Sequence, residues 1–314
     1  MRRKAWLGWI GAATCACSAV DAESPEAGTA VVAGPDANVA VDAGGTEDAI
    51  GAMGEATVVE AAALPGATNS TDAGMSGVDA GQTSSAVQCA APAVCTDFED
   101  GTRGLPPGYR IVSPNCSGDG SAQVDTAFAH SGTHALKVQS GGGYCNHVFV
   151  APAQDLGPFQ ANLWVRFYVR LSAPLSASHV TLLAMHDGET DKDLRMGGQN
   201  QILMWNRERD DATLPELSPN GTGQSVALVA ARFQCVEFHL AGDAGQLETF
   251  VDGARVSGLV VDDAPTADID AQWLRAGPFR AKVSDVRFGW ESYGGDPMTL
   301  WFDDIVVGSE RSGC

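Results

Sequence analysis

In the nine residues from 163 to 171, purely apolar side chains alternate with cationic and aromatic side chains that carry a polar group. Successive side chains of a β-strand point to opposite faces, so this segment predicts a strand with one face in a core and one face outside it. The apolar positions are Leu163, Val165, Phe167, Val169 and Leu171, and the intervening ones are Trp164, Arg166, Tyr168 and Arg170.

Strand-like runs recur along the C-terminal two thirds of the chain, and turn residues separate them. Asp252-Gly253, between two β-forming arms, predicts a hairpin. No amphipathic helical pattern interrupts the series. We therefore expect an all-β fold, a two-sheet β-sandwich jelly roll of the concanavalin A-like type. The runs cover residues 144–150, 162–171, 179–185, 199–205, 234–240, 247–251, 283–290 and 299–307.

The distribution of aromatic and basic residues limits the part of the chain that can fold. No Phe, Trp or Tyr lies between Trp9 and Phe98, and no Lys or Arg lies between Lys4 and Arg103. Residues 23–88 are rich in Ala, Gly, Ser, Thr and acidic residues, which cannot bury enough apolar surface to fold. We predict a disordered acidic linker there, followed by one domain over residues 89–314.

Residues 1–22 combine a basic end with a short apolar run, which predicts a signal peptide. The run ends at Cys15 and Cys17, so the chain is expected either to carry a lipid anchor at Cys17 or to be freely secreted after Ala22. Both alternatives give a secreted or outer-membrane-anchored, extracytoplasmic protein in which the linker acts as a tether.

Six further cysteines in an exported chain predict disulfides rather than zinc or thioredoxin chemistry, because no C-x-x-C spacing occurs. We expect Cys89–Cys95, Cys116–Cys145 and Cys235–Cys314, although the sequence alone does not choose among the pairings. The formal net charge of −20 argues against nucleic acid as a partner, because phosphate binding needs a basic face. An anionic sugar would need a local cluster of Arg.

Residues 193–207 contain such a group of polar side chains. If this segment is one continuous strand, one face carries a cation, amides and an indole, which suits binding of a polyhydroxylated and anionic chain. A bulge at Gly197-Gly198 would instead split that face. The members of the predicted face are Arg195, Gln199, Gln201, Leu203, Trp205 and Arg207.

Two other strands carry similar outward stripes. One contains Arg166 and Tyr168, and the other contains Arg287, Glu291 and Tyr293. If the three strands are neighbours in one sheet, these stripes form a basic, aromatic-lined groove. The alternative is three separate solvated surfaces.

Acidic motifs stand at both ends of the domain. Glu99 lies near its start, and Asp303 and Asp304 lie near its end. Opening and closing strands of a jelly roll often pair, which would bring these carboxylates together. Hard oxygen ligands suit calcium, and backbone carbonyls around residues 130–132 could complete the shell. The alternative is that they are exposed charges at strand ends.

Several motifs resemble jelly-roll carbohydrate-binding modules and related lyases. These motifs are Phe98-Glu-Asp-Gly, His130-Ser-Gly-Thr-His-Ala-Leu-Lys-Val and Phe302-Asp-Asp-Ile-Val-Val. With Gly142-Gly-Tyr-Cys-Asn-His-Val-Phe and Lys192-Asp-Leu-Arg-Met-Gly-Gly-Gln-Asn, the domain resembles the core domain of the cellulose-induced secreted proteins of cellulolytic fungi and their bacterial relatives. That group is akin to glucuronan lyases, the family-20 polysaccharide lyases.

The resemblance implies a calcium-binding jelly roll with an open cleft. Matched motif by motif, it implies calcium positions at Glu99, Ser131 and Asp303. It also implies cleft positions at Arg195, Gln199, Asp211 and Tyr293.

β-Elimination on a uronic acid polymer needs a carboxylate-neutralising group, a base and an acid. Arg195, helped by Gln199 or Gln201, could grip the carboxylate. The base could be Tyr293 or a histidine, and the acid could be Tyr293 or Tyr168 if a cationic surrounding lowers the phenol pKa. The candidate histidines are His147 and His186, Asp211 could orient Arg195, and Trp205, Arg207, Arg166 and His147 are further candidate substrate contacts.

Hydrolysis by paired carboxylates is the competing enzyme class, with Glu291 and either Glu237 or Asp211 as the pair. We expect a monomeric, secreted, calcium-binding protein that acts on polysaccharide and cleaves uronic acid polymers. The alternative is a non-catalytic carbohydrate-binding surface lipoprotein.

Overall fold

The computed structural model describes residues 94–100, 104–113, 120–295 and 297–314. The predicted signal peptide, lipidation site, linker, Cys89 and Cys116 lie outside the described residues. The strands are β1 Val94–Thr96, β2 Tyr109–Val112, β3 Ser121–Asp125, β4 Ala135–Ser140, β5 Tyr144–Pro152, β6 Leu163–Leu171, β7 Val180–Asp187, β8 Lys192–Gln199, β9 Ile202–Arg207, β10 Ala212–Leu214, β11 Phe233–Ala241, β12 Gln246–Val251, β13 Ala254–Val261, β14 Arg287–Tyr293 and β15 Met298–Gly308.

These strands form two antiparallel sheets, which confirms the predicted all-β sandwich. The first sheet has the order β13-β12-β11-β6-β15-β4-β3, and β1 also pairs with β15. The second has the order β10-β9-β8-β7-β14-β5-β2. Two one-turn helices connect strands, α1 Pro219–Thr222 and α2 Ala271–Leu274. No helix in the described part of the chain is long and apolar enough to cross a membrane.

The alternation in β6 has the predicted consequence. Its odd-numbered side chains are buried between the sheets and its even-numbered ones are partly exposed. Phe167 joins the two sheets, since its ring centroid lies 5.5 Å from that of Phe288 and 5.9 Å from that of Phe302. Full burial of a side chain of this size contributes about 1.5–3 kcal/mol, so this stripe anchors the core.

The predicted single strand through residues 193–207 is wrong, because the chain reverses there. Asn200 and Gln201 have positive φ angles of 53° and 67° and connect β8 to β9 as a two-residue hairpin. Gln199 pairs with Ile202, so residues on either side of the turn share a face with opposite parity. Trp205 therefore lies in the core rather than beside Arg195.

The expected groove of three merged stripes is also wrong. β8 and β14 lie in the second sheet with β7 between them, but β6 lies in the first sheet. Arg166 and Tyr168 therefore face outward from the opposite side of the sandwich. Glu237, on β11 next to β6, belongs to that side as well, so it cannot pair with Glu291 for hydrolysis.

Four cysteines of the described residues are disulfide-bonded, and one bond attaches the C-terminal residue to the first sheet. Cys235 is bonded to Cys314, as predicted. Cys95 and Cys145 are also disulfide-bonded. The C-terminal segment lies over the first sheet, where Arg311 Nε donates to Glu237 Oε2 at 2.7 Å.

Candidate functional site

The outer face of the second sheet gathers polar side chains whose burial is unusual for such residues. Arg195 of β8 stands opposite the core-facing Leu194 and Met196, and its Cα partner on β7 is Ala184. Glu291 of β14 pairs with His147 of β5 on the same face. We call His147, His179, Arg195, Glu291 and Tyr293 the central cluster.

Arg195 is held between two carboxylates. Its Nη2 lies 3.2 Å from Glu208 Oε1, and its Nε lies 3.7 Å from Glu291 Oε2. The guanidinium carbon is 5.6 Å from the ring centroid of Tyr293. Arg195 is only 6% exposed, so its charge acts in a medium that screens it weakly. Glu208 and Glu291, rather than Asp211, therefore orient the guanidinium.

Tyr293 keeps its phenolic proton. Its Oη donates to Glu291 Oε1 at 2.9 Å. Burial, followed by the charge of Glu291, raises the pKa of the Tyr293 phenol above its ordinary value, and the cation Arg195 offsets this only in part. The expectation of a lowered phenol pKa is thus wrong, because the carboxylate touches the hydroxyl and the cation lies against the ring. Tyr293 is suited to donate a proton rather than to remove one.

Two histidines complete the central cluster. His147 is buried, and its Nδ1 lies 3.7 Å from Glu291 Oε1; neither of its ring nitrogens has a hydrogen-bond partner among the described residues. His179 stacks on Tyr293 with ring centroids 5.2 Å apart. Burial, and then the charge of Arg195, lowers the pKa of His179 to about 4. Burial also lowers the pKa of His147.

The remaining predicted cleft residues lie around the hairpin of β8 and β9. Gln199 has the same strand phase as Arg195 and is half-buried, whereas Gln201 is exposed in the turn. The alignment of Gln199 with Arg195 on β8 is undisturbed, since the register between β8 and β9 is regular and the shift beside Gly197 falls on β7. Asp211 is exposed and accepts a hydrogen bond from Asn206 Nδ2 at 2.8 Å.

Two predicted substrate contacts have structural partners instead. Trp205 is fully buried, donates from Nε1 to Thr249 Oγ1 at 2.9 Å and packs edge-on against Phe238. Arg207 lies on the core-facing side of β9, and it donates hydrogen bonds to Asp210 and to the carbonyl of Trp273. The indole therefore cannot stack on a sugar without unfolding β9.

Arg166 and Tyr168 are engaged on the first sheet. Arg166 donates to the backbone carbonyls of Asp304 and Gly313. The Tyr168 ring stacks on His130 at 3.5 Å between centroids. They are separated from Arg195 by the thickness of the sandwich.

Sequence reasoning did not find His179 and Glu208. β7 contains a register shift between Thr181 and Leu183. Simple alternation therefore predicts His179 and His186 on opposite faces of the sheet, whereas the shift puts them on the same face. Glu208 follows the end of β9. The hairpin between β8 and β9, which the sequence did not predict, brings it next to Arg195. Tyr293 was predicted from looser spacing and the surrounding sequence, and its ring lies beside Arg195 and His179 in the central cluster.

The predicted calcium residues lie around one loop. β1 pairs with β15, as expected for opening and closing strands. Asp303 Oδ2 accepts hydrogen bonds from the N–H groups of His130 and Ser131, and Ser131 Oγ donates to Asp304 Oδ1 at 2.8 Å. Glu99 Oε1 accepts from the N–H groups of Thr133 and His134, two residues farther along the same loop.

These residues fit calcium in donor chemistry, because every side chain supplies hard oxygen. Asp303 is fully buried, and burial, followed by the charge of Asp304, raises its pKa to about 7. A dication beside the pair would relieve that cost. Within the described ranges, however, no three or more His, Cys, Asp or Glu side chains are arranged to hold a metal ion. Glu99 would have to turn from the loop N–H groups to share an ion with Asp303.

Comparison with known proteins assigns the chain to a family. The polysaccharide lyase-like family described as "Cip1-like, core domain" matches residues 97–310, more than half of the sequence. The chain belongs to this Cip1-like family. The resemblance expected from the sequence motifs is therefore confirmed.

A solved structure agrees with the Cip1-like assignment. The structure titled "Cellulose induced protein, Cip1" is 41% identical with a TM-score of 0.64, and the match covers 70% of this chain and 99% of that chain. An endo-β-1,4-glucuronan lyase from the fungus Trichoderma reesei is 15% identical with a TM-score of 0.45, covering 66% of this chain and 94% of that one. No curated protein matches the chain.

Proposed function

We propose that this Cip1-like protein binds uronic-acid-containing polysaccharide on the outer face of the second sheet and cleaves it by β-elimination. The contact of Arg195, Glu291 and Tyr293 carries the proposal. It places a buried cation, a protonated phenol and two histidines of lowered pKa within one cluster. The family's description as polysaccharide lyase-like supports the class of substrate.

Each group then has a role set by its protonation state. Arg195 binds the uronate carboxylate and stabilises the charge that develops on it. His179, neutral above a pKa of about 4, removes the proton from the carbon beside that carboxylate. The bond from the neighbouring carbon to the glycosidic oxygen breaks, and Tyr293 donates a proton to the leaving oxygen. The products are a chain end with a new carbon–carbon double bond and a chain end with a free hydroxyl.

The remaining expectations belong to the same proposal. A calcium ion held by Glu99, Ser131, Asp303 and Asp304 would join the two ends of the domain and act as a structural ion. The protein would work outside the cytoplasm, as a monomer, either freely secreted or anchored through a lipid on Cys17. The N-terminal basic and apolar run of the sequence supports export.

A second candidate function is binding without turnover. It is favoured by the pairing of Arg195 with both Glu208 and Glu291, since a substrate carboxylate must compete with two resident ones. Such a site could hold a sugar chain through hydroxyl contacts and leave it intact.

The two functions separate in one assay. Purified protein is incubated with glucuronan, alginate and pectin in calcium, and the ultraviolet absorbance of unsaturated chain ends is followed while binding is measured by calorimetry. We expect absorbance to rise with at least one polymer. Binding without any rise would overturn the lyase mechanism and leave the binding function. Loss of both would overturn the proposed substrate class.

A further inference from the structure

A polar pocket adjoins the central cluster on the same face of the second sheet. It has a volume of about 270 Å³ and lies at the Arg287 end of β14. Glu208 lines this pocket and also pairs with Arg195, so one carboxylate links the two sites. We call it the acidic pocket; its other lining residues include His186, Asp191, Asp193, Asp285 and Arg287.

Asp193 gives this pocket an unused hydrogen-bond acceptor. The side chain is only 6% exposed, and its Oδ1 accepts from Arg287 Nη2 at 2.7 Å. Its Oδ2 is buried and has no hydrogen-bond partner among the described residues. A buried carboxylate oxygen without a partner carries an uncompensated desolvation cost, which a hydroxyl donor would remove.

The charge of the pocket decides which donor it accepts. Asp193, Glu208 and Asp285 are the buried or partly buried carboxylates of the pocket, and their cations are Arg287 and Arg195, which pairs with Glu208. Asp191 and Lys192 are exposed, so solvent screens their charges. When His186 is neutral, the three carboxylates outnumber the two cations by one. A uronate carboxylate placed here would be repelled, whereas an uncharged sugar offers hydroxyl donors without that penalty.

The spacing suits two different sugar residues of one chain. Asp193 and Arg195 are two residues apart on one face of β8, about 7 Å at the usual rise of a strand. That span is comparable to the length of one sugar residue in a chain. A chain lying along β8 would therefore present neighbouring sugar residues to Arg195 and to Asp193.

We propose that the acidic pocket is a subsite for an uncharged sugar residue. The substrate is accordingly a mixed polysaccharide in which uronic acid and neutral sugars occur in one chain, rather than a pure polyuronate. This inference rests on the proposed function, because it assumes that Arg195 binds the uronate.

A series of chemically graded polymers tests it. Glucuronan, alginate and polygalacturonate are each converted to sets in which none, about half or all of the carboxylates are reduced to primary alcohols, so the linkages stay unchanged. Affinity is measured by calorimetry for each set. We expect the half-reduced form of the polymer that binds to be bound at least fivefold tighter than either extreme.

The possible outcomes separate the two proposals. A steady fall in affinity with reduction would overturn the neutral subsite and leave the proposed function standing. A steady rise would overturn both, because no uronate would then be needed at Arg195. Absence of binding to every member of every set would also overturn both.

Substitutions locate the subsite. Asp193→Asn should weaken binding of the half-reduced polymer at least tenfold, because it removes the acceptor for the neutral sugar. It should not weaken binding of the unreduced polymer, because it also removes a negative charge from the pocket. Asp191→Asn is the matched control, because its side chain is 96% exposed and Asn tolerates the positive φ at this position; it should change both affinities less than twofold. Equal effects of Asp193→Asn on both polymers would overturn the assignment.

A second variant covers the case in which Asp193→Asn does not fold. Asp285 is partly exposed, and its replacement by Asn removes one negative charge from the same pocket. This variant should bind the unreduced polymer at least threefold tighter than the wild-type protein does. An unchanged or weaker affinity would contradict electrostatic exclusion of uronate.

Discussion

Arg195 shows how much the surroundings of one residue alter its chemistry. It has two carboxylate partners and almost no solvent contact. Replacing it by Ala would remove the guanidinium partner of Glu208 and Glu291, and breaking a buried ion pair typically costs about 3–5 kcal/mol. Lost activity in that variant would therefore mix chemistry with unfolding. Tyr293 is the better residue to change, because Phe preserves the ring and removes only the hydroxyl.

His179 supplies a pH-dependent prediction. Its pKa is about 4 in the folded protein against 6.5 in a solvated chain. As the pH falls from 6.5 toward 4, the unfolded chain binds a proton that the folded protein resists, so stability decreases. His179→Gln should make the melting temperature less dependent on pH across this range. Thermal denaturation at pH 4 to 7 measures it, and an unchanged slope in the variant would contradict the burial of a neutral imidazole.

At the level of elements, the strands could be predicted from the sequence but the turn between β8 and β9 could not. The apolar alternation of β6 depends only on local periodicity, and the structure confirms it. Asn200 and Gln201 do not form one of the usual Asn-Gly turn signals, so the hairpin was missed. A turn that is not predicted reverses the face assigned to every residue after it. Trp205, which was predicted on the binding surface, therefore lies in the core.

Irregular pairing in β7 explains why the central cluster was only partly predicted. The register shifts between Thr181 and Leu183, which brings His179 to the face of Arg195. Such a shift depends on the neighbouring strands rather than on local sequence. Gly197 lies beside it, and a Cβ there would stand 1.9 Å from the Val180 carbonyl oxygen.

Gly197→Ala should therefore destabilise the fold by forcing β7 and β8 apart. Overpacking typically costs about 1–3 kcal/mol, and a contact with backbone leaves little room to relax. Gly188→Ala is the control, because its nearest neighbour would be the Lys282 carbonyl oxygen at an ordinary 3.5 Å. Urea denaturation compares the two free energies of unfolding. A difference below about 0.5 kcal/mol would contradict the close approach at Gly197.

At the level of the whole molecule, the pairing of the first and last strands could be predicted, whereas the assignment of each strand to a sheet could not. β1 pairs with β15, as the acidic motifs at the two ends of the domain predicted. β6, β8 and β14 have similar polar stripes, but the stripe of β6 faces the side of the sandwich opposite to the stripes of β8 and β14. Periodicity predicts two faces for each strand and carries no information on which strands are neighbours.

The calcium proposal predicts a global stability effect. An ion that binds only the folded protein stabilises it by about 2.7 kcal/mol at one hundred times its dissociation constant. EDTA should thus lower the melting temperature, and excess calcium should restore it. Asp303→Asn should abolish the response to calcium. An identical melting temperature with calcium and with EDTA would show that hydrogen bonds alone hold the carboxylates.

The central claim is that catalysis takes place on the outer face of the second sheet, and two matched tyrosine variants test it most directly. Tyr293→Phe and Tyr168→Phe remove the same hydroxyl from opposite sides of the sandwich. Formation of unsaturated chain ends is measured on the preferred polymer, with folding checked by circular dichroism. Tyr293→Phe should slow the reaction about a hundredfold or more, since it removes a general acid, and Tyr168→Phe should change the rate less than about twofold. Equal rates in the two variants, or a larger loss in Tyr168→Phe, would contradict the location of the active site.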